Sequence, residues 1–168
     1  MNNTIASPAD RLRSALRQAG FNARQVTVRA PHCTLHVTIR DASVSLTRVD
    51  EIASAFECVH RDHATGEILA GGNTFISTEY AAALVDPLKA EIVAVLEPAP
   101  VDEWVSLPRG YRAIKVSRER GATYFDEVRI EGEGFDHRNH MAVGVGHAAK
   151  RIAVACLDAS ASGKGSAA

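Results

Sequence analysis

Seven histidines and three cysteines give this chain two clusters of possible metal ligands: Cys58, His60 and His63 in one, His137, His140 and His147 in the other. A zinc ion needs three or four such groups converging at fixed geometry. Neither cluster has the spacing of a paired Cys-x-x-Cys or of a helical His-Glu-x-x-His. They read as exposed loop histidines, and no metal is assigned.

Nucleophilic catalysis would need a Ser or Cys beside a His base and a third group to orient it. The sequence has no Gly-x-Ser-x-Gly elbow, and Cys58 and Cys156 fall where helices are expected to bury them. Glu67, Asp126 and Glu127 read as solvated carboxylates, so no catalytic residue is assigned. Gly144-Val145-Gly146, ahead of His147-Ala148-Ala149-Lys150-Arg151, is a glycine-rich turn entering a helix whose free N–H groups suit a phosphate. Acetyltransferases hold coenzyme A on such a turn, but Met141 stands where they carry Arg or Gln. A coenzyme A-dependent acyltransferase is therefore the third reading, and no cofactor is expected.

Binding chemistry is better represented. Arg11, Arg13 and Arg17 lie around the first helix, with Arg24 and Arg29 following it, a basic set able to touch phosphates. His36, with Thr27 and Thr38, lies on the polar face of a hairpin that lacks the aromatics on which single-stranded bases stack. Gly71, Gly72 and Asn73 form a turn that completes the candidate binding residues.

The elements that must position these groups follow from capping and periodicity. Ser7-Pro8-Ala9-Asp10 opens a helix, Leu12, Ala15, Leu16 and Ala19 recur at helical spacing, and Gly20 stops it with Phe21 folding back. Val26 and Val28, then Leu35, Val37 and Ile39, alternate as two strands around the turn Ala30-Pro31-His32-Cys33. Thr47 is expected to cap a second helix striped by Val49, Ile52, Ala53 and Phe56. Cys58 to Asn73 reads as a loop or irregular hairpin, and Thr74 to Thr78 as a strand. A third helix runs to about Leu96 with the stripe Leu84, Leu88, Ile92 and Val95, and Pro87 either kinks it or opens its main part. Tyr111–Arg118 and Thr123–Ile130 form a hairpin across Glu119-Arg120-Gly121-Ala122. A last helix covers at least His147 to Leu157.

The expected class is α+β: an α-β-β-α-β-α N-terminal unit, then a β-hairpin and C-terminal helix packed on the same or an adjoining sheet. The expected division is a domain over residues 1–97, a Pro-rich linker over 98–110 and the hairpin plus helix over 111–158, within the same domain or beside it. Residues 159–168 read as a disordered tail.

Composition sets the outer limits. Of 168 residues, 46% are hydrophobic and 23% charged, inside the globular range. No stretch approaches the ~20 apolar residues of a membrane span, and Met1 to Asp10 lacks the layout of a signal peptide, so a cytoplasmic chain with no membrane partner is expected. Three widely spaced cysteines fit reduced thiols. The net charge of −1 hides a basic first part, seven arginines against three acids over residues 1–50, and an acidic middle, three basic against ten acidic over 51–110.

Two stretches carry a resemblance. Leu12-Arg13-Ser14-Ala15-Leu16-Arg17-Gln18-Ala19-Gly20-Phe21, continuing through Val26-Thr27-Val28-Arg29 and Leu35-His36-Val37-Thr38-Ile39 to Val49-Asp50-Glu51-Ile52, resembles the large polyvalent protein associated domain, type 29, of phages and other mobile elements. Thr65-Gly66-Glu67-Ile68-Leu69-Ala70-Gly71-Gly72-Asn73-Thr74-Phe75-Ile76 is similar to a segment of the same proteins. The resemblance covers residues 8 to 96 and implies a setting, a phage or plasmid accessory protein, with no reaction attached.

The expected function is a non-catalytic interaction protein of a mobile element, binding a host or defence-system protein such as a CRISPR effector as a counter-defence inhibitor. Its uneven charge suits orientation on a partner. The alternative is a nucleic-acid accessory factor using the basic first helix and hairpin.

Overall fold

Ser7 starts the first helix, α1 (Pro8–Gln18), by accepting the Asp10 N–H at 3.2 Å, with Pro8 in the first turn where its missing donor costs nothing. The Ser7 hydroxyl and then the Arg13 guanidinium hold the Asp10 carboxyl below its ordinary range. At the other end Gly20 takes φ +94 and the Phe21 N–H reaches back to the Leu16 carbonyl at 3.0 Å, the expected glycine stop. The computed structural model describes residues 6–69, 71–117, 127–136 and 138–163.

The chain divides into two units, Met1–Ala81 and Ala82–Ala168. In the first, α1 is followed by β1 (Val26–Arg29), β2 (Thr34–Ile39), α2 (Leu46–Ser54) and β3 (Phe75–Tyr80). β1 and β2 are antiparallel, whereas β3 lies parallel to β2 on its other side, giving the order β1-β2-β3. α1 packs on β1 and α2, and α2 on β3. Leu12, Val37, Ile39 and Val49 are fully buried there, each worth about 1.5–3 kcal/mol of apolar transfer. The α2 cap is Ser45, which accepts the Arg48 N–H at 3.3 Å, and not Thr47; the helix begins at Leu46, two residues earlier than a Thr47 cap allows. The buried Tyr80 hydroxyl donates to the Val44 carbonyl at 2.9 Å and accepts the Leu46 N–H at 3.2 Å, fixing the entry to α2.

Between α2 and β3 the chain forms an irregular hairpin, closed by bridges at Cys58–Thr74 and Arg61–Ile68. Asp62 organises its tip by accepting the Thr65 and Ala64 N–H groups, which lowers its carboxyl pKa.

The second unit holds α3 (Ala82–Leu96), β4 (Trp104–Ser106), a 3-10 turn (Pro108–Gly110), β5 (Arg112–Val116), β6 (Glu127–Glu131), β7 (Met141–Ala142) and α4 (Val145–Ala161). Its four strands form one antiparallel sheet in sequence order. The α+β class expected from sequence is observed and the order roughly matches, with the hairpin β5–β6 in a separate sheet to which β4 and β7 add two strands that were not expected. The hairpin turn, Glu119-Arg120-Gly121-Ala122, lies outside the described residues. The stretch 98–110, read as a linker, carries β4 and the 3-10 turn. α3 packs along α4, which places that helix with the second unit. Its buried stripe is Val85, Ile92 and Leu96, while Val95 is exposed, and Pro87 lies inside the helix. α4 begins at Val145 and extends through Ala161, past the boundary at 159.

Candidate interaction surfaces

The alternation of β5 and β6 sorts the second sheet into two faces. Ala113, Val128, Ile130 and Ala142 are buried, and α4 packs on β6 and β7. The opposite face presents Trp104, Ile114, Arg129 and Met141 as direct cross-strand neighbours, one residue from each strand. Trp104 is 40% exposed and Met141 44%. The Arg112 guanidinium lies 4.9 Å from the centre of the Trp104 ring and 3.7 Å from the Glu131 carboxylate, while Arg129 pairs with Glu127 at 3.3 Å. Two arginines are thus matched by two glutamates around one exposed indole.

A loop closes one side of this face. Asp136 accepts the N–H groups of Arg138 and Asn139, the Asn139 amide donates to the Gly134 carbonyl at 2.9 Å, and the His140 ring nitrogen contacts the Asp136 carbonyl at 3.0 Å. Arg151 of α4 donates to the Met141 and Asn139 carbonyls and covers the Phe135 ring, whose edge meets Tyr111. The result is an open cleft of about 390 Å³ between Trp104, Arg129, Glu131, Phe135 and His140. Among the described residues no Ser or Cys lines it.

In the first unit, Arg13 and Arg17 line a groove between α1 and β1 with Leu16, Phe21, Ala23, Val26, Thr27 and Val28. Of the basic residues singled out in the sequence, these two are the ones that line it. Arg11 is two residues from Arg13, roughly 200° around the helix. Arg24 and Arg29 are exposed, and His36 sits opposite Arg29 on the other face of the hairpin from Val26 and Val28. Gly71 and Gly72 take positive φ in a turn that Asn73 ties down, accepting the His60 N–H and donating to the Leu69 carbonyl, both at 2.7 Å. The structure therefore gives Asn73 a loop-closing part.

The metal-ligand clusters divide similarly. Cys58 lies in the irregular hairpin expected over Cys58 to Asn73, and it is exposed there, against the expectation that a helix buries it; its Sγ is 3.6 Å from His60 Nε2. Among the described residues no three His, Cys, Asp or Glu side chains are placed to hold a metal ion. His137 lies outside the described residues, and His147 is exposed in the first turn of α4. Cys156 is buried in α4, and that burial raises its thiol pKa. Gly144 does open α4, at φ +77.

Sequence reasoning missed Trp104, Arg112, Arg129, Phe135 and Met141. The alternation in Arg112-Ala113-Ile114-Lys115-Val116 and Val128-Arg129-Ile130 marked the faces of β5 and β6, but nothing local announced that Trp104 and Met141 join the same face.

No helix among the described residues is long and apolar enough to cross a membrane. No family model, curated protein or solved structure matches this chain.

Proposed function

We propose that this chain is a non-catalytic protein-binding module whose principal contact surface is the open sheet face around Trp104. The observation that carries this reading is the Trp104–Arg112–Arg129–Met141 group. Tryptophan, arginine and methionine are the residue types enriched at interface centres, and a large exposed ring held by a neighbouring guanidinium resembles an interface anchor.

Charge decides between a protein and a nucleic acid at this face. Among the described residues of the face, Glu127 and Glu131 pair with Arg129 and Arg112, so these two guanidinium groups offer phosphates no net attraction. A strand of bases would also want successive aromatic platforms; among the described residues this face presents the Trp104 indole, while Phe135 in the cleft beside it is already covered by Arg151 and packed against Tyr111. A mixed-sign surface with an apolar centre suits a protein of complementary pattern. The resemblance over residues 8 to 96 supports a mobile-element setting, and the division into a basic first part and an acidic middle supports a host or defence-system protein as the partner.

The test is matched capture from a lysate of the encoding organism, using wild type and Trp104→Ala at about 150 mM salt, where long-range charge attraction is screened. A protein retained by wild type and lost with the variant, both folded, supports the reading. Equal retention by both, or recovery of nucleic acid alone, refutes it.

A further inference from the structure

The first unit carries a groove between α1 and β1, on residues the Trp104 face does not use. β1 is an edge strand of its sheet. The Arg40 N–H donates to the Gln25 carbonyl at 2.7 Å, and with the register Val26–Ile39, Thr27–Thr38, Val28–Val37 this makes Gln25, Thr27 and Arg29 the residues hydrogen-bonded to β2. The backbone groups of Val26 and Val28 consequently point outward, toward the groove beneath α1. Two of those four are already used: the Val26 N–H donates to the Asn22 carbonyl at 3.0 Å, and the Val28 carbonyl accepts from Arg13 at 2.8 Å. Among the described residues the Val26 carbonyl and the Val28 N–H have no partner.

That remaining pair has a specific meaning. An antiparallel neighbour exchanges both bonds with a single residue, whereas in a parallel ladder one residue bonds the carbonyl of position i−1 and the N–H of position i+1. Val26 C=O and Val28 N–H flank Thr27 in the second way, so a single residue of a parallel strand satisfies both, whereas an antiparallel strand would find only one of the two bonds open in each of two residue pairs. The groove beside them holds about 220 Å³, below the ~300 Å³ at which small-molecule pockets begin and about the size of one or two side chains. Its walls are Leu16, Phe21, Ala23, Val26 and Val28, with Phe21 held by the Arg48 guanidinium 5.3 Å from its ring centre. The two cations at its rim differ. Arg13 is bound to Asp10 and the Val28 carbonyl, but Arg17 is exposed and has no side-chain partner among the described residues.

We infer that the α1–β1 groove accepts an extended peptide segment of a partner protein as a strand parallel to β1, one residue bonding both Val26 C=O and Val28 N–H, an apolar neighbour entering the groove and an acidic side chain reaching Arg17. Strand addition of this kind takes affinity from main-chain bonds and selectivity from alternate side chains. The single free guanidinium and the apolar walls favour a carboxylate beside an apolar residue over a phosphodiester chain.

The probe is a displayed random library of peptides about twelve residues long, selected on the intact chain, with enriched peptides synthesised and hydrogen exchange followed at the Val28 amide. The expected result is enrichment of peptides pairing an acidic with an apolar residue, slowed exchange at Val28, at least about tenfold weaker binding to Arg17→Glu, and unchanged binding to Trp104→Ala. No enrichment, binding that leaves Val28 exchange unaltered, or binding indifferent to Arg17→Glu overturns the site. So does protection of Val28 by a single-stranded oligonucleotide instead. Because the two sites share no residue, either can fail while the other stands.

Discussion

Gly132 and Tyr111 occupy the same corner of the second unit: a Cβ at Gly132 would lie 2.2 Å from Tyr111 Cδ1 and 2.7 Å from Cε1. Gly132 also holds φ +145, a region that L side chains rarely adopt. Tyr111 is 3% exposed and meets Phe135 edge-on at 5.9 Å, and Phe135 lines the cleft beside Trp104. This corner therefore links the core to the candidate contact face. Overpacking and backbone strain act together here, so Gly132→Ala should destabilise the second unit by about 2–4 kcal/mol in urea unfolding. A change below about 0.5 kcal/mol would show that the ring moves aside freely.

Tyr111 gives a signature in alkali. Burial, followed by the Cys156 and Glu133 charges, pushes its pKa up from 10.0 to about 12. The folded chain then keeps its phenol protonated while the unfolded chain ionises, so folding binds more protons between these values. Stability from this group is fully present below pH 10 and is lost as pH rises toward about 12. Unfolding midpoints measured across that window should fall less steeply for Tyr111→Phe than for wild type. Parallel slopes would contradict the assignment.

Tyr80 makes a comparable prediction in the first unit. Tyr80→Phe keeps the ring but leaves the Val44 carbonyl and the Leu46 N–H without their shared partner. The expected cost is about 1–3 kcal/mol, read by denaturant titration. A loss within error would mean that water replaces the hydroxyl.

What could be read in advance followed from local rules. Ser7, Pro8, Gly20 and Phe21 spell out both ends of α1, and the alternation around Val26 and Leu35 gives the first hairpin with its buried face. Local rules also misled: Thr47 and Ser45 are both capping residues, and only packing selects Ser45. The irregular hairpin from Cys58 was legible in the sequence, but burial of Cys58 against a helix was not borne out, because α2 ends at Ser54. The parallel pairing of β2 with β3 joins segments about 35 residues apart, and no periodicity reports such a partner. Trp104 stayed hidden for a related reason. β4 has three residues between prolines, too short to show alternation, and its role appears only when Ile114, Arg129 and Met141 line up beside it.

The contact face can be watched directly, because Trp104 is the one tryptophan of the chain. Incorporating 5-fluorotryptophan places a single fluorine resonance at the centre of that face. Adding the protein retained in capture should shift or broaden this resonance, while single-stranded DNA or RNA should leave it unchanged. A resonance that ignores the protein, or responds to the oligonucleotide instead, would contradict the account.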